Sequence, residues 1–496
     1  MIRSSISLGL CAACSPLLPG AVLTDFYEIE SIEAPALLME RYGERGTQAD
    51  GLDFLPDGRL AACFVGGEVF TRNPKTGSWK LFADGLHTPL GVLALSDREI
   101  LVSQRPELTL LRDLDGDGVA DQYSTFCDSF GMTGNYHEFH FGPVRDSEGN
   151  LFVALGTASS GADVRFEKRG RFDQRSYLQR MYSSVPYRGW VCMVTPSGKL
   201  VPWASGLRTP NGLGFDLDGN LFVCDNQGDW LGTSKMHHVE RGKFYGHVAS
   251  LLWEKDWKEG RPVDLPLPEL EKRRETAAVL FPHGIMANSP SQPLVDSTRG
   301  AFGPFAGQLF VGEMNKGRIL RTVLEKIGGK VQGACIPFFD GNGLATGNNR
   351  LVFSPDGRSL WVAHSNHGWA GNKGIQKITW KEKTPPDLLS IGLKPKGFSL
   401  RFTVPMEKSS SLEPLHYKAK LYSYKYHSGY GSPQINKQTL TPRKVSLSED
   451  GKEVLLQFDD MVAKRVYEFD LQNLRTQEGS KLLNALVAYH AHNLAE

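Results

Sequence analysis

The 496-residue sequence lacks a net charge of either sign, because 56 lysines and arginines balance 55 aspartates and glutamates to a formal +1. Such a balance gives no long-range attraction toward nucleic acid or an anionic membrane surface, and no nucleic-acid partner is expected. Beyond residue 21 the chain also lacks an apolar run of about 18 residues, so no transmembrane span is predicted.

Several chemical motifs are missing beyond residue 21 as well. There is no Cys-x-x-Cys and no Cys-x-x-Cys-His, which excludes a zinc ribbon and a covalently attached haem. The absence of Gly-x-Ser-x-Gly, a phosphate loop, a dinucleotide fingerprint and His-Glu-x-x-His disfavours nucleophilic hydrolysis and nicotinamide chemistry. The remaining cysteines are odd in number and are predicted to be buried free thiols: Cys63, Cys127, Cys192, Cys224 and Cys335.

The first 21 residues carry a single charge, Arg3, followed by a small apolar stretch over 6–18. This composition predicts an export signal that is too short to span a membrane, and therefore a periplasmic or cell-surface protein. The Ala12, Ala13 and Cys14 triplet is similar to the end of a lipoprotein signal. Simple cleavage and lipid anchoring at Cys14 both stay open.

Glycine is abundant, with 53 residues, and it recurs in a repeated pattern. A tight turn followed by a β-rich run occurs at 56–60, 97–101, 148–153, 218–223, 307–311 and 356–362. A shorter matching segment precedes each copy, at 50–52, 90–92, 137–139, 211–213, 283–285 and 348–351. Turns between apolar runs are typical of β-hairpins. Six copies of about 55 residues predict an all-β fold, a six-bladed β-propeller over residues 45–383.

The innermost strand of every propeller blade starts at the same end of the central channel, so equivalent positions converge on its axis. Those positions are Asp50, Leu90, His137, Asn211, His283 and Asn348. Five of the six are polar, which is typical of a functional site and also of a water-lined channel with a packing role alone. Insertions at about 157–190 and 230–280 are expected to form loops over one face.

The chain changes character after residue 380, where Lys-Glu-Lys-Thr-Pro-Pro predicts a stiff polar linker. Residues 387–496 then alternate as short strands, which predicts a small Ig-like β-sandwich. Tyr422, Tyr424, Tyr426 and Tyr430 are either a sugar-contacting aromatic face or strand packing.

The strongest local motif is acidic: Asp113, Asp115, Asp117 and Asp121, with a glycine at its sixth position. Carboxylates at this spacing wrap oxygen ligands around a cation of calcium size. Ser124 stands where a switching EF-hand has a bidentate glutamate, so the motif predicts a structural calcium loop. The alternative is an acidic hairpin without a metal.

The stretch 206–216, with 225–228 and 242–246, resembles the soluble quinoprotein glucose and sorbosone dehydrogenase propellers. It resembles still more closely the "membrane-bound dehydrogenase" domain of planctomycete and verrucomicrobial exported proteins, here without their C-terminal cytochrome c module. The resemblance implies a pyrroloquinoline quinone over the channel, a calcium ion that polarises it, and a histidine that takes a substrate hydroxyl proton. It also implies a sugar or alcohol substrate and a separate cytochrome c as electron acceptor.

Carried over residue by residue, the resemblance implies a catalytic set of His137, Arg208 and Asn211, with His137 as the base. It implies that Arg208 and Arg350 contact the quinone, that Gln227 and Gly228 supply calcium ligands, and that Lys316 lies beside the place of a family lysine. The full cofactor-binding set is Arg208, Gln227, Gly228, His283, Lys316, Asn348 and Arg350.

Two other functions stay open. The stretch Pro-Asn-Gly-Leu also occurs in calcium-dependent lactonase propellers, in which Asn211 would hold a metal and Asp50 could supply a carboxylate. A propeller that binds carbohydrate or protein without catalysis is the third candidate.

Overall fold

The computed structural model describes residues 22–161, 167–177, 179–258, 260–366 and 371–496. The predicted export signal and Cys14 lie outside the described residues. The described chain consists mainly of strands, which confirms the all-β prediction. None of the helices in this part of the chain is long and apolar enough to cross a membrane.

Up to residue 380, the described residues form twenty-eight strands. Their bounds are β1 (Tyr27–Ile32), β2 (Ala49–Phe54), β3 (Leu60–Phe64), β4 (Val69–Arg72), β5 (Trp79–Ala83), β6 (Gly91–Ala94), β7 (Glu99–Gln104), β8 (Glu107–Arg112), β9 (Gln122–Cys127), β10 (Met132–Thr133), β11 (His140–Arg145), β12 (Leu151–Leu155), β13 (Ala158–Ser159), β14 (Lys168–Arg169), β15 (Met181–Tyr182), β16 (Trp190–Val194), β17 (Leu200–Ser205), β18 (Gly212–Phe215), β19 (Leu221–Asp225), β20 (Ser234–His238), β21 (Val279–Phe281), β22 (Pro290–Val295), β23 (Leu309–Glu313), β24 (Arg318–Ile327), β25 (Lys330–Asp340), β26 (Asn348–Phe353), β27 (Ser359–His364) and β28 (Gly374–Trp380).

The rest of the chain adds eight strands, and helices are few and short. The strands are β29 (Leu388–Lys394), β30 (Gly397–Phe402), β31 (Ala419–Tyr424), β32 (Gln434–Leu440), β33 (Lys444–Leu447), β34 (Glu453–Gln457), β35 (Arg465–Asp470) and β36 (Leu486–Ala491). The α-helices are α1 (Ala36–Tyr42), α2 (Leu267–Arg273) and α3 (Lys408–Ser411). The 3₁₀ turns are Leu23–Asp25, Gly43–Thr47, Gln174–Ser176, Val248–Trp253, Pro262–Asp264 and Pro414–Tyr417.

Successive antiparallel sheets follow one another along the first part of the chain: β2–β5, β6–β9, β11-β12-β16-β17, β18–β21, β22–β25 and β26–β28. Their inner strands, β2, β6, β11, β18, β22 and β26, contact one another in a closed ring. Sheets arranged radially around such a ring form a β-propeller.

The ring is closed by the N-terminal strand. Strand β1 pairs antiparallel with β28, from Tyr27 opposite Trp380 to Ile32 opposite Ile375, and so becomes the outer strand of the last sheet. Tyr27 is fully buried, and its ring packs edge-on against Phe338. Backbone hydrogen bonds and a buried aromatic anchor therefore hold the two ends of the ring together.

In most of these sheets, the second strand is buried along its whole length. Strands β3, β12 and β19 read Leu-Ala-Ala-Cys-Phe, Leu-Phe-Val-Ala-Leu and Leu-Phe-Val-Cys-Asp, with every residue buried. Both faces of such a strand pack on the neighbouring sheets, so the runs are continuously apolar rather than alternating. The five described cysteines are buried and unpaired, which confirms the free-thiol prediction.

The strands after residue 387 form two sheets. One has the order β29-β30-β34-β33, and the other, β36-β35-β31-β32, continues β25 to give an eight-stranded sheet. Phe398, Tyr467 and Tyr489 pack edge to face between them. Asp387, at the end of the predicted linker, is buried and pairs with Arg321 at 3.3 Å. The second part is thus joined to the propeller by backbone hydrogen bonds and a buried ion pair.

Two of the six segments that were predicted to start inner strands lie outside those strands. His137 precedes its inner strand, which starts only at His140. His283 is exposed in the connection that follows β21, whereas the inner strand of that sheet starts at Pro290. The Gly after His283 has a φ of 77°, so this Gly serves a turn rather than a strand crowded against the axis.

Candidate functional site

The central channel is narrow where the inner strands approach one another. Its cavity of about 30 Å³ is lined by residues of the inner strands, among them Gly51, Gly91, Gly142 and Gly212 on four strands. A Cβ on Gly91 would overlap the carbonyl oxygen of Gly142, so the strands approach as closely as glycine permits. Such a space is sufficient for a water molecule and too small for a sugar.

Arg350 fills this part of the channel. Its Nε donates to the Leu90 carbonyl at 3.2 Å and its Nη1 to the Asn211 carbonyl at 2.9 Å, and these residues directly precede the inner strands β6 and β18 of two other sheets. The guanidinium also lies 5.6 Å from the centre of the Phe141 ring. Burial lowers the pKa of Arg350 to about 10, and Asp50 acts in the opposite direction. Arg350 therefore links neighbouring sheets through its Nε and Nη1, whereas its Nη2 has no hydrogen-bond partner among the described residues.

The other polar residues of the inner strands also bond to protein. Asn211 Nδ2 contacts Met314 Sδ at 3.1 Å, and its Oδ1 has no hydrogen-bond partner among the described residues. Asn348 Nδ2 donates to main-chain carbonyls, among them that of Glu313 at 3.1 Å. Asp50 accepts from the side chain of Asn349 at 2.9 Å. These side chains connect neighbouring strands deep in the ring.

His137 lies at the end of the channel, just before β11. Its Nδ1 is 2.8 Å from the Thr157 carbonyl oxygen, and only 9% of the residue is exposed. Burial and the neighbouring Arg208 lower the pKa of His137 to about 4, although the Thr157 carbonyl acts in the opposite direction. The ring is therefore neutral across the physiological range.

Arg208, which the sequence motif places beside His137, is held by a buried carboxylate. Its Nε donates to Asp229 Oδ1 at 2.9 Å, and Asp229 Oδ2 lies 3.2 Å from His247 Nε2. Burial alone would raise the pKa of Asp229, but His247 and Arg208 together hold it well below its ordinary value. The backbone N–H of Arg208 donates to Asp225 at 2.9 Å. The guanidinium is thus fixed in position and charge-compensated.

The loop that carries Gln227 and Gly228 is covered by the C-terminal part of the chain. The Gly228 carbonyl accepts from the N–H of Gly431 at 2.9 Å, and the Trp230 N–H donates to the His427 carbonyl at 3.1 Å. A Cβ on Gly228 would overlap Arg208 Nε, so this glycine provides the space for the guanidinium. The Gln227 N–H donates to Ser234 Oγ at 3.0 Å.

Tyr430, on the same covering loop, is half exposed. The guanidinium of Arg208 lies 5.5 Å from its ring centre, and that of Arg180 lies 4.4 Å from it. An exposed aromatic ring flanked by cations is a surface on which a sugar ring can pack. The other three tyrosines of the predicted aromatic face are buried or half-buried.

Arg105 belongs to none of the sequence motifs, yet it lies beside this cluster. This half-buried guanidinium donates to the Asn135 carbonyl and lies 5.9 Å from the Phe139 ring centre. It forms no ion pair with any described residue, and its positive charge contributes to lowering the pKa of His137. Its position beside His137 depends on the turn before β11, which no motif signals.

His283 and Lys316 lie apart from this cluster. Lys316 Nζ donates to the Gly284 carbonyl at 2.8 Å, and the His283 N–H donates to Thr233 Oγ1 at 3.0 Å. Both belong to the loops around β21 and β23. The structure thus brings His137 and Arg208 together, covers Gln227 and Gly228, and leaves the other predicted cofactor contacts outside the cluster.

The acidic loop is on the outer side of the second sheet. Carboxylate oxygens of Asp113, Asp115 and Asp117 lie within 4.8 Å of one another, and Asp113 is the buried member. Asp121 is used differently, because its Oδ2 accepts the N–H of Leu114 at 2.6 Å. Three carboxylates at this spacing suit a hard cation with oxygen ligands.

A family model described as a domain of unknown function (DUF7133) matches residues 75–278. None of the curated proteins compared matches the chain. Three solved structures illustrate the similarity. The soluble aldose sugar dehydrogenase of Escherichia coli in its apo form is 16% identical, over 71% of this chain and 99% of that chain, with a TM-score of 0.47. The PQQ-bound aldose sugar dehydrogenase of Streptomyces coelicolor is 16% identical, over 72% and 98%, with a TM-score of 0.47. The PQQ domain of pyranose dehydrogenase from Coprinopsis cinerea is 14% identical, over 71% and 95%, with a TM-score of 0.47.

The matched family span is less than half of the chain, and the structural similarities are distant. Neither assigns an activity. The functional conclusion therefore depends on the geometry around His137.

Proposed function

We propose that the channel mouth binds a hydroxylated small molecule, a sugar or an alcohol, and that His137 takes the proton of one hydroxyl in a dehydrogenase-like reaction. The supporting observation is the contact of His137 Nδ1 with the Thr157 carbonyl. Because a carbonyl can only accept, the proton of the neutral ring is on Nδ1 and the lone pair is on Nε2. An imidazole in this tautomer is a general base.

The surrounding charges suit the same step. Arg208 and Arg105 both act electrostatically on His137, so a hydroxyl that loses its proton there would develop negative charge beside two guanidiniums. Asp229 fixes Arg208, which keeps the donor in place without reorganisation. Tyr430 offers a face on which the ring of a sugar can pack.

A quinone of the pyrroloquinoline type would supply the hydride acceptor, but the predicted contacts do not fit it as a set. Arg350 is committed to main-chain carbonyls in the channel, and Lys316 to the Gly284 carbonyl. The Gly228 carbonyl, expected on calcium, accepts from the covering loop. An acceptor at the mouth would have to be held by Arg105 and Arg208.

The experiment compares purified protein with and without added quinone and calcium, offered aldoses and polyols, by reduction of an artificial dye. We expect reduction that falls by about 10²–10⁴ in His137→Gln. His416→Gln is the matched control, because its Nδ1 also bonds a backbone carbonyl, that of Ser410 at 2.9 Å. No dye reduction, with no quinone retained on a sizing column, contradicts the oxidation.

A second candidate, a propeller that binds carbohydrate without chemistry, is favoured by the charge compensation of Arg208 and by the covering loop. Calorimetric binding of a sugar that is lost in Arg208→Met, without dye reduction, would identify it. The lactonase-like alternative is disfavoured, because the guanidinium of Arg350 lies against the Asn211 carbonyl and beside Asp50, where a channel metal would meet a positive charge.

Further inferences accompany this function. We infer that the radial sheets are the six blades of a propeller over 45–383, that 387–496 is a β-sandwich, and that residues 1–21 direct export to the periplasm or cell surface. The same proposal includes lipid anchoring at Cys14 and a separate cytochrome c as electron acceptor. It also includes relatives among exported dehydrogenase-domain proteins. We also propose that Asp113, Asp115 and Asp117 bind a structural calcium ion, with Asp121 completing the turn.

A further inference from the structure

A second cavity, of about 500 Å³, lies at the junction of the propeller and the C-terminal part. On one side it is lined by β20, β21 and the end of α2, and on the other by β31, β32, β35 and β36. This volume is typical of sites for small organic ligands. The junction cleft is distinct from the channel and from the cluster around His137.

Positively charged side chains outnumber carboxylates in the lining of the junction cleft. Five cationic side chains line it, against two carboxylates: Lys235, Arg274, Lys425, Lys464 and Arg465. One of the carboxylates, Glu275, is already paired with Lys243 at 2.8 Å and Lys330 at 2.7 Å. Lys235 and Arg274 form no ion pair with a described residue. With five cationic side chains against Glu271 and Glu275, the lining of the cleft carries a net positive charge.

Buried polar groups in the wall are also without partners. His237 is only 1% exposed, and neither of its ring nitrogens has a hydrogen-bond partner among the described residues. The same holds for Nδ1 of His490, which is 6% exposed, and for Nε of Arg274. Unpartnered buried groups cost stability, so their concentration around one cavity indicates a ligand that satisfies them.

Aromatic rings complete the wall. The guanidinium of Arg274 lies 4.5 Å from the ring centre of Tyr426, which holds it in place at the base of the cleft. Tyr424 and Tyr245 also line the cavity. Cations that hold an acid group, next to aromatic faces that pack on a carbon ring, suit an acidic sugar.

We propose that the junction cleft binds a small anionic ligand, of the size of one or two sugar rings, and that Lys235 and Arg274 hold its carboxylate, sulfate or phosphate group. His237 and His490 face the polar atoms of the same ligand. Since the cleft is formed by both parts of the chain, bound ligand stabilises their junction. This site is independent of hydroxyl oxidation at the channel mouth.

The test is thermal unfolding of the full chain at low ionic strength with four probes: inorganic phosphate, glucuronate, glucose 6-phosphate and neutral glucose. We expect a saturable rise in Tm with an acidic probe and none with glucose. Lys235→Met and Arg274→Gln should each weaken the apparent affinity at least tenfold. Lys75→Met is the matched control, because Lys75 lines another cavity of similar size, about 590 Å³, and should leave the shift unchanged.

Comparison of the four probes also shows whether the acid group comes from a free anion or from an acidic sugar. A shift with phosphate as large as with the acidic sugars assigns the site to the free anion, whereas a larger shift with an acidic sugar assigns it to the saccharide. Without ligand, Lys235→Met should have a Tm equal to or above that of the parent, because it removes an uncompensated and largely desolvated charge. A lowered ligand-free Tm, equal shifts in parent and Lys235→Met, or no saturable shift with any acid would overturn the proposal.

Discussion

Arg350 shows how one side chain decides what a channel can do. The sequence places it next to the axis, and a guanidinium near an axis is a reasonable partner for an acidic cofactor. Its direction depends on the carbonyls of Leu90 and Asn211, which precede strands of two other sheets and cannot be identified as partners from local sequence. A sequence pattern locates a residue on a strand, but the neighbours that fix its side chain come from the assembled ring.

The pH dependence of activity follows from His137. Because the neutral ring is required and its pKa is about 4, dye reduction should be constant from pH 5 upward and fall as the pH drops through about 4. The measurement is kcat/KM against pH, with His416→Gln giving the same profile as the parent. A profile that falls near pH 6.5, the ordinary pKa of histidine, would show that another group limits the reaction.

Asp53 gives a residue-scale prediction for stability. Its two carboxylate oxygens accept the N–H groups of Phe54 at 2.9 Å and of Ala94, on the next sheet, at 2.8 Å. Burial raises the pKa of Asp53 from 3.8 to about 6, although these two N–H groups oppose the shift. The folded state therefore binds the proton more tightly than the unfolded chain, and stability falls as the pH rises from about 4 through 6.

The Asp53 contribution to the free energy of unfolding is up to about 3 kcal/mol. The free energy of unfolding of the parent minus that of Asp53→Asn should be larger at pH 4 than at pH 7 by up to that amount. Urea unfolding of both proteins at both pH values measures this difference. The exposed Asp460→Asn should show no such difference. If the parent gained stability relative to Asp53→Asn between pH 4 and pH 7, the raised pKa would be contradicted.

At the scale of elements, the acidic loop between β8 and β9 is the clearest case. Asp115 and Asp117 each also accept a backbone N–H of the turn, from Asp117 and Val119, and asparagine at either position retains that acceptor. The double change Asp115→Asn with Asp117→Asn should therefore keep the turn and lose the cation. We expect calcium to raise the Tm of the parent and to leave the Tm of the variant unchanged. At a calcium concentration a hundredfold above Kd, the free energy of unfolding of the parent should increase by about 2.7 kcal/mol.

Asp356→Asn is the control for this pair of substitutions, because Asp356 accepts a turn N–H from Arg358 at 3.0 Å in another sheet. In the presence of chelator the double variant should equal or exceed the parent, since like charges are removed. An equal calcium response in parent and double variant would assign the stabilisation to another part of the molecule.

Four of the six inner strands begin where the sequence predicts, and two do not. Gly51, Gly91 and Gly212 mark strands that approach others so closely that only glycine fits, which makes the pattern informative. The glycine after His283 serves a turn instead, and a polar residue before glycine looks the same in both roles. Arg208 could be found from its motif. Its surroundings could not, because Asp229 and Tyr430 meet Arg208, and His247 meets Asp229, only through tertiary packing.

At the scale of the whole molecule, the sequence suggests two units joined by a linker, whereas β36 extends the sheet of β22–β25 by pairing with β25. Apolar residues of the propeller, such as Ala334 and Ile336, share a core cluster with Phe398 and Leu456 of the second part. Removing residues 384–496 would expose this surface and an unpaired strand edge.

We therefore expect the two parts to unfold together. All nine tryptophans precede residue 381, so their fluorescence reports the propeller alone. A single tryptophan introduced by Phe458→Trp, in a chain whose other tryptophans are replaced by phenylalanine, would report the second part. We expect the thermal transitions of the two fluorescence signals to coincide. The unfolding of the parent chain, followed by circular dichroism, is the reference for both. Two transitions separated by more than a few degrees would show independent domains.

The closure of the ring by β1 also determines the order in which the molecule can be completed. Strand β1 is synthesised before the other strands of the ring, yet β28, with which it pairs in the described part of the chain, is made after all the other sheets. Until then the nascent chain exposes an unpaired strand edge at each end, and non-local pairings of this kind form slowly. A chaperone that shields strand edges during synthesis would therefore be needed most just before Trp380 emerges.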